Sequence, residues 1–222
     1  MRSEAPAEAG AFVVSDRPAE LVRAVVFDVG RVLVEWDLRL LLRKVYDDEA
    51  CVQWAFANVV SEAWHAQHDA GRDLDEMVAE RKRAFPDFAA AIDAYAVNFA
   101  DSIPGLVPGT SDLVARLAAC GVPLFAITNF ADKFWSEFRP TEPLFDHFRD
   151  IVVSGKEKLA KPGSAIYRLA EQRFGYRACE MLFIDDSLPN IEAAQRLGWQ
   201  VHHFTGAQAL EADLATRGLL GQ

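Results

Sequence analysis

The chain has 222 residues, 51% hydrophobic and 25% charged, the make-up of a folded protein with room for one sizeable core and a smaller inserted unit. Its formal net charge of −10, with no stripe of Lys and Arg, excludes a nucleic-acid partner but leaves room for a small anionic ligand, which needs only one or two local cations. Three scattered cysteines, Cys51, Cys120 and Cys179, form no zinc or disulfide pattern and read as small buried hydrophobes; with no membrane-length apolar run and no signal-peptide pattern, the expected location is cytoplasmic.

Residues 1–22, rich in Ala, Glu, Ser and Pro, read as a flexible leader. The pattern then changes abruptly. Residues 24–29 form a short apolar run holding Asp28 near its end and followed by Gly30, which suits a strand buried on both faces. From 37 to 102 the strand signal vanishes, and aromatic and aliphatic residues recur among charged ones at helical spacing, with breaks at Pro86 and Pro104. Further strands are expected at 122–128, 150–154 and 181–185, with a weaker one at 200–204. Helices are expected at 112–119, 131–138, 164–173 and 188–197. Such alternation predicts an α/β fold with a Rossmann-like parallel sheet. The expected division is a core of 23–36 and 103–222 with a helical cap of 37–102 inserted in it.

In an open parallel sheet the reactive groups gather at the carboxyl ends of the strands. The expected strands deliver Asp28, then Thr128 and Asn129, then Asp185 and Asp186, while Lys161 follows the third. Singly, each has a plainer reading. Asp28 suits a cap or loop, Thr128-Asn129 a turn, and Lys161 a solvated residue before the proline of a helix. Asp185-Asp186 is harder to reduce, because two adjacent carboxylates at a buried strand end repel one another unless a cation such as Mg2+ compensates them. The alternative for this pair is a helix cap near Leu188, with Ser187 competing.

Taken in order, VVFDVGRVLVEWD, FAITNF, KPGSAIY and LFIDDSLPNIEAA resemble the four motifs of the haloacid dehalogenase-like (HAD) hydrolase superfamily, over nearly all of 23–205. The helical insertion is similar to the small cap of the subfamily holding phosphoglycolate phosphatase and sugar-phosphate phosphatases. The resemblance implies that Asp28 and Asp186 meet on one magnesium ion, together with the carbonyl of Gly30. It implies that Asp28 is the nucleophile, forming an aspartyl-phosphate, that Thr128 and the amide of Asn129 hold phosphate oxygens, and that Lys161 neutralises charge. Asp185 and Asn190 are then supports of the metal site. Arg31 is the one residue that hints at the carboxylate binding of a dehalogenase, and its plainer reading is a surface or phosphate-side contact.

One position departs from the pattern. Most phosphatases of this superfamily carry a second Asp two residues after the nucleophile, as acid for the leaving oxygen, and this chain has Gly30 there. Sugar-phosphate phosphatases with a D-[LV]-G-x-V first motif share the glycine. His65 and His68, in AWHAQHDAGRDL, are candidates to swing over the site and supply the proton; the plainer reading leaves them solvated or packed beside Trp64. The expected function is a magnesium-dependent phosphatase, monomeric or homodimeric, acting on a small phosphorylated metabolite such as a sugar phosphate. The alternatives are a metal-independent 2-haloacid dehalogenase and a non-catalytic phosphate- or partner-binding module.

Overall fold

Four consecutive apolar residues form β1 (Ala24–Phe27), all of them buried, and this strand is the centre of the molecule. The computed structural model describes residues 21–221. The expected leader lies outside these except for its last two residues, of which Val22 is buried in the core. On either side of β1 lie β4 (Leu124–Thr128) and β6 (Met181–Asp185), flanked in turn by β5 (Asp150–Val153) and β7 (Gln200–His203). The five strands, in the order β5-β4-β1-β6-β7, pair in parallel throughout.

Alternation along each strand feeds two cores. Val25, Phe27, Ala126, Leu182 and Ile184 face α6 (Thr110–Ala119) and α11 (Ala207–Thr216). Val26, Ile127 and Phe183 face α9 (Ser164–Phe174) and α10 (Leu188–Arg196). Helices on both faces explain the unbroken apolar runs. The chain winds from β1 outward through β4 and β5, then returns to β6 and β7, so the order reverses between β1 and β6. That is the point at which α/β sheets open a crevice beyond the strand ends.

Between β1 and β4 comes a helical block. It comprises α1 (Leu38–Leu42), α2 (Glu49–Asn58), α3 (Glu62–Asp69), α4 (Leu74–Ala84) and α5 (Ala89–Val97), followed by a short 3-10 turn, Phe99–Ser102. The starts of its helices are written locally: Asp37, Asp48, Ser61 and Asp73 each accept a backbone N–H of the first turn through their side chain. The chain enters and leaves through a two-stranded antiparallel ribbon, β2 (Val34–Glu35) with β3 (Gly105–Leu106).

The block packs on the sheet through shared aromatics, with Phe99 stacked on Phe134 of α7 (Asp132–Phe138) at 4.2 Å. A second tie runs through Ser154, the first residue of α8 (Ser154–Glu157), whose hydroxyl accepts from Phe130 N (2.9 Å) and donates to the Asp69 carbonyl at the end of α3. Gly155 beside it must be glycine, since a Cβ would stand 2.5 Å from Asp132 N. The cysteines differ from expectation, with Cys120 exposed and Cys51 and Cys179 half-buried. They lie on α2, at the end of α6 and in the turn Ala178–Glu180, away from both cores. Among the described residues no helix is long and apolar enough to cross a membrane.

Candidate active site

Asp28 continues β1 by donating its N–H to Ile184 O (2.8 Å), which fixes its carboxylate at the mouth of the β1/β6 crevice. Its Oδ1 accepts from Val29 N (2.6 Å) and pairs with Lys161 Nζ (2.8 Å). The same ammonium donates to Asp185 Oδ2 at 2.7 Å, and the lysine side chain is only 1% exposed, so it is no solvated residue. Its backbone is held just as firmly. Lys161 N donates to Asn129 Oδ1 and Asn129 Nδ2 donates to Lys161 O, both at 2.9 Å, tying the loop after β4 to the loop before α9.

Asp185 is fully buried and its oxygens are taken by Lys161, by Ser187 N (2.8 Å) and by Asn190 Nδ2 (3.0 and 3.1 Å). Ser187 takes the N-cap position of α10 without a side-chain cap bond, and Asp185 supports that end through the Ser187 N–H and the Asn190 side chain. Asn190 is itself held by Tyr167, whose hydroxyl donates to its carbonyl (3.0 Å).

One ammonium faces three carboxylates, because ligand oxygens of Asp28, Asp185 and Asp186 lie within 4.8 Å of one another. Burial pushes the Asp28 carboxyl up to about 7, against the pull of Lys161 and with Asp185 adding to the rise. Burial works against the Lys161 charge as well, yet the two aspartates outweigh it and hold the ammonium above its ordinary value. Asp186 is raised by burial and then by Asp185, with Arg31 and Lys161 opposing. Asp28 Oδ2 and the Asp186 carboxylate have no side-chain donor among the described residues. Excess negative charge with unclaimed hard oxygens fits a divalent cation such as magnesium.

A cavity of about 220 Å3 lies over these groups, lined among others by Asp28, Gly30, Asn129, Lys161, Asp186 and Asn190. Arg31, with a left-handed backbone (φ 60°), also reaches it, lying 4.9 Å over the Trp36 ring and ion-paired with Glu62. Thr128 ends β4 one strand away, buried and outside the cavity lining. The two histidines part company. His65 lines the cavity, its Nδ1 on Tyr95 Oη (2.8 Å) and its Nε2 on Asp69 Oδ2 (3.1 Å). Burial holds the Tyr95 phenol well above its ordinary value, with the Asp69 charge adding to it, so that hydroxyl keeps its proton.

His68 does not reach this cavity, contrary to expectation. Its ring packs edge-on against Phe134, and Nδ1 bonds the Arg72 carbonyl at 2.9 Å. Three positions on α3 separate it from His65 and turn it toward α7. Both histidines are buried rather than solvated. Trp36, Glu62 and Asp69 line the cavity without having been singled out, as does Ser187, which was named only as a cap. Asp69 carried a readable signal, four residues after His65 on one helix face.

The sequence model described as haloacid dehalogenase-like hydrolase matches residues 22–198. The chain belongs to the haloacid dehalogenase-like hydrolases. Relatives of this hydrolase include a sesquiterpene phosphatase of Aspergillus oryzae, 25% identical over 205 residues that cover 90% of this chain and 97% of that protein. A phosphoglycolate phosphatase of Yersinia pseudotuberculosis is 31% identical over 134 residues, covering 60% of this hydrolase and 55% of that protein, about half its length. A HAD family enzyme of Bacteroides thetaiotaomicron, solved in complex with magnesium and inorganic phosphate, shares the fold at a TM-score of 0.65 and 21% identity, covering 83% of this hydrolase and 95% of that chain.

Proposed function

We propose that this hydrolase is a magnesium-dependent phosphatase of a small phosphorylated metabolite, working in the cytoplasm through an aspartyl-phosphate. The observation that carries the reading is the pairing of Asp28 with Lys161 beside the unclaimed oxygens of Asp28 and Asp186. Phosphatase relatives and a fold neighbour holding magnesium and phosphate agree with it.

In this reading Asp28 attacks phosphorus, the P–O bond to the alcohol breaks, and a water molecule then attacks phosphorus of the aspartyl-phosphate to release phosphate and restore the carboxylate. Asp28, the Gly30 carbonyl and Asp186 would hold magnesium, which offsets repulsion between carboxylate nucleophile and anionic phosphate when bound. Lys161, kept charged by its two aspartates, neutralises the phosphoryl oxygens, which the backbone N–H of Asn129 also holds, while Thr128, buried outside the cavity lining, stays in the end of β4. Asp185 and Asn190 position that ammonium. The helical block 37–102 serves as a cap over the core 23–36 and 103–222, and it brings His65 and Asp69 to the leaving-group side. With Gly30 unable to protonate the leaving oxygen, that step is assigned to His65 in its protonated form, its Nε2–H turning from Asp69 to the leaving oxygen.

The test is phosphate release from p-nitrophenyl phosphate. Magnesium is required and chelator abolishes turnover, while Asp28→Asn lowers kcat by a factor on the order of 10⁴ or more. Turnover that survives chelator, or survives in Asp28→Asn, contradicts the reading.

A further inference from the structure

A second cavity, about 60 Å3, opens off the first and shares Gly30, Trp36, His65, Asp69 and Asn129 with it. The rest of its wall is apolar, made by Val34, Phe99, Ile103 and Phe130. Position 30 is the doorway between the two. A Cβ built there meets nothing within 4 Å, so the glycine leaves open the space beside the nucleophile that a side chain would fill.

Polar groups on this wall are already engaged. His65 is held at both ring nitrogens by Tyr95 and Asp69, and Asn129 spends its amide on the Lys161 backbone. Asp69 Oδ1 and Trp36 Nε1 lack partners, but both atoms are sealed from solvent. Cations are equally engaged. Lys161 is locked between two aspartates, and Arg31 is ion-paired with Glu62 and lies over Trp36. A carboxylate or second phosphate on the leaving group would meet no unengaged cation here and would face the charge of Asp69. A polyol would bury hydroxyls with few partners, which costs binding.

We infer that this side cavity is the leaving-group subsite and that it takes an uncharged, apolar group. The inference rests on the phosphatase reading and narrows the substrate class to phosphate monoesters of hydrophobic alcohols, as opposed to polyols and hydroxy acids. The nucleophile and ammonium serve the phosphoryl group alone, and the aromatic annex selects the alcohol. Each methylene buried there is worth roughly fourfold in kcat/KM.

The experiment compares kcat/KM for isopentyl phosphate, glycerol 3-phosphate and 2-phosphoglycolate, with acetyl phosphate as a reference whose small leaving group does not depend on the annex. Isopentyl phosphate is expected to lead the other two by roughly tenfold or more. Ile103→Trp, which fills the annex from outside the catalytic set, is expected to erase that lead while leaving acetyl phosphate turnover unchanged. Phe99→Ala, which enlarges the annex, is expected to shift the preference to longer alkyl chains, and stands in if the tryptophan variant does not fold. Preference for glycerol 3-phosphate or 2-phosphoglycolate overturns the inference, as does a lead that survives Ile103→Trp unaltered. A wild type that turns over acetyl phosphate but shows that preference defeats the subsite alone; one that turns over no phosphate ester with magnesium defeats the phosphatase reading beneath it.

Discussion

Lys161 shows how far a single residue was legible. In the sequence it is a lysine before Pro162 that reads by itself as solvated, and only the resemblance gave it a phosphate partner. What its neighbours could not tell is that it sits sealed between Asp28 and Asp185, with Asn129 clamping its backbone, because those contacts join residues 24 to 133 positions apart. Removing one partner of a buried ion cluster leaves uncompensated charge. Lys161→Met is therefore expected to destabilise the metal-free protein by about 3–5 kcal/mol in urea unfolding, and a loss below ~1 kcal/mol would contradict the arrangement. His65 was legible as a titratable group, whereas its burial against Tyr95 and Asp69 was not. As the proposed acid, it matters only where the leaving group needs a proton. His65→Gln is expected to slow an alkyl phosphate on the order of 10²-fold and leave p-nitrophenyl phosphate nearly unchanged, since nitrophenolate departs unaided. Equal losses on both substrates would mark a residue that only packs.

Among the elements, strands buried on both faces were readable as continuous apolar runs. The ribbon of β2 and β3 was not readable, because two residues per strand show no alternation. Helix α11 was overlooked although Leu210 and Leu214 have helical spacing, because nothing local says that this stretch packs under β1. The tie between α8 and the helical block was invisible as well, since it depends on one serine and one glycine. Gly155→Ala forces a Cβ against the Asp132 amide and displaces Ser154 from the Phe130 N–H and Asp69 carbonyl. The expected cost is roughly 1–3 kcal/mol of stability in chemical denaturation, and an unchanged midpoint would show that the loop accommodates the methyl freely.

At the scale of the molecule, the helical insertion was legible as a change of period from strands to helices, and its seating on the sheet was not. That seating comes from pairs distant in sequence, such as Phe99 with Phe134 and Asp69 with Ser154, and it is what brings His65 and Trp36 over the strand ends. In the proposed reading the whole assembly serves one carboxylate, placed where the strand order reverses and paired with one buried cation. Its chemistry is tested most directly by trapping the intermediate. Rapid acid quench of the enzyme turning over acetyl phosphate with magnesium, followed by peptide mass analysis, should place one phosphoryl group on the peptide at Asp28, absent in chelator and absent in Asp28→Asn. A phosphoryl group on any other residue, or steady turnover by the Asp28→Asn protein, would contradict the account.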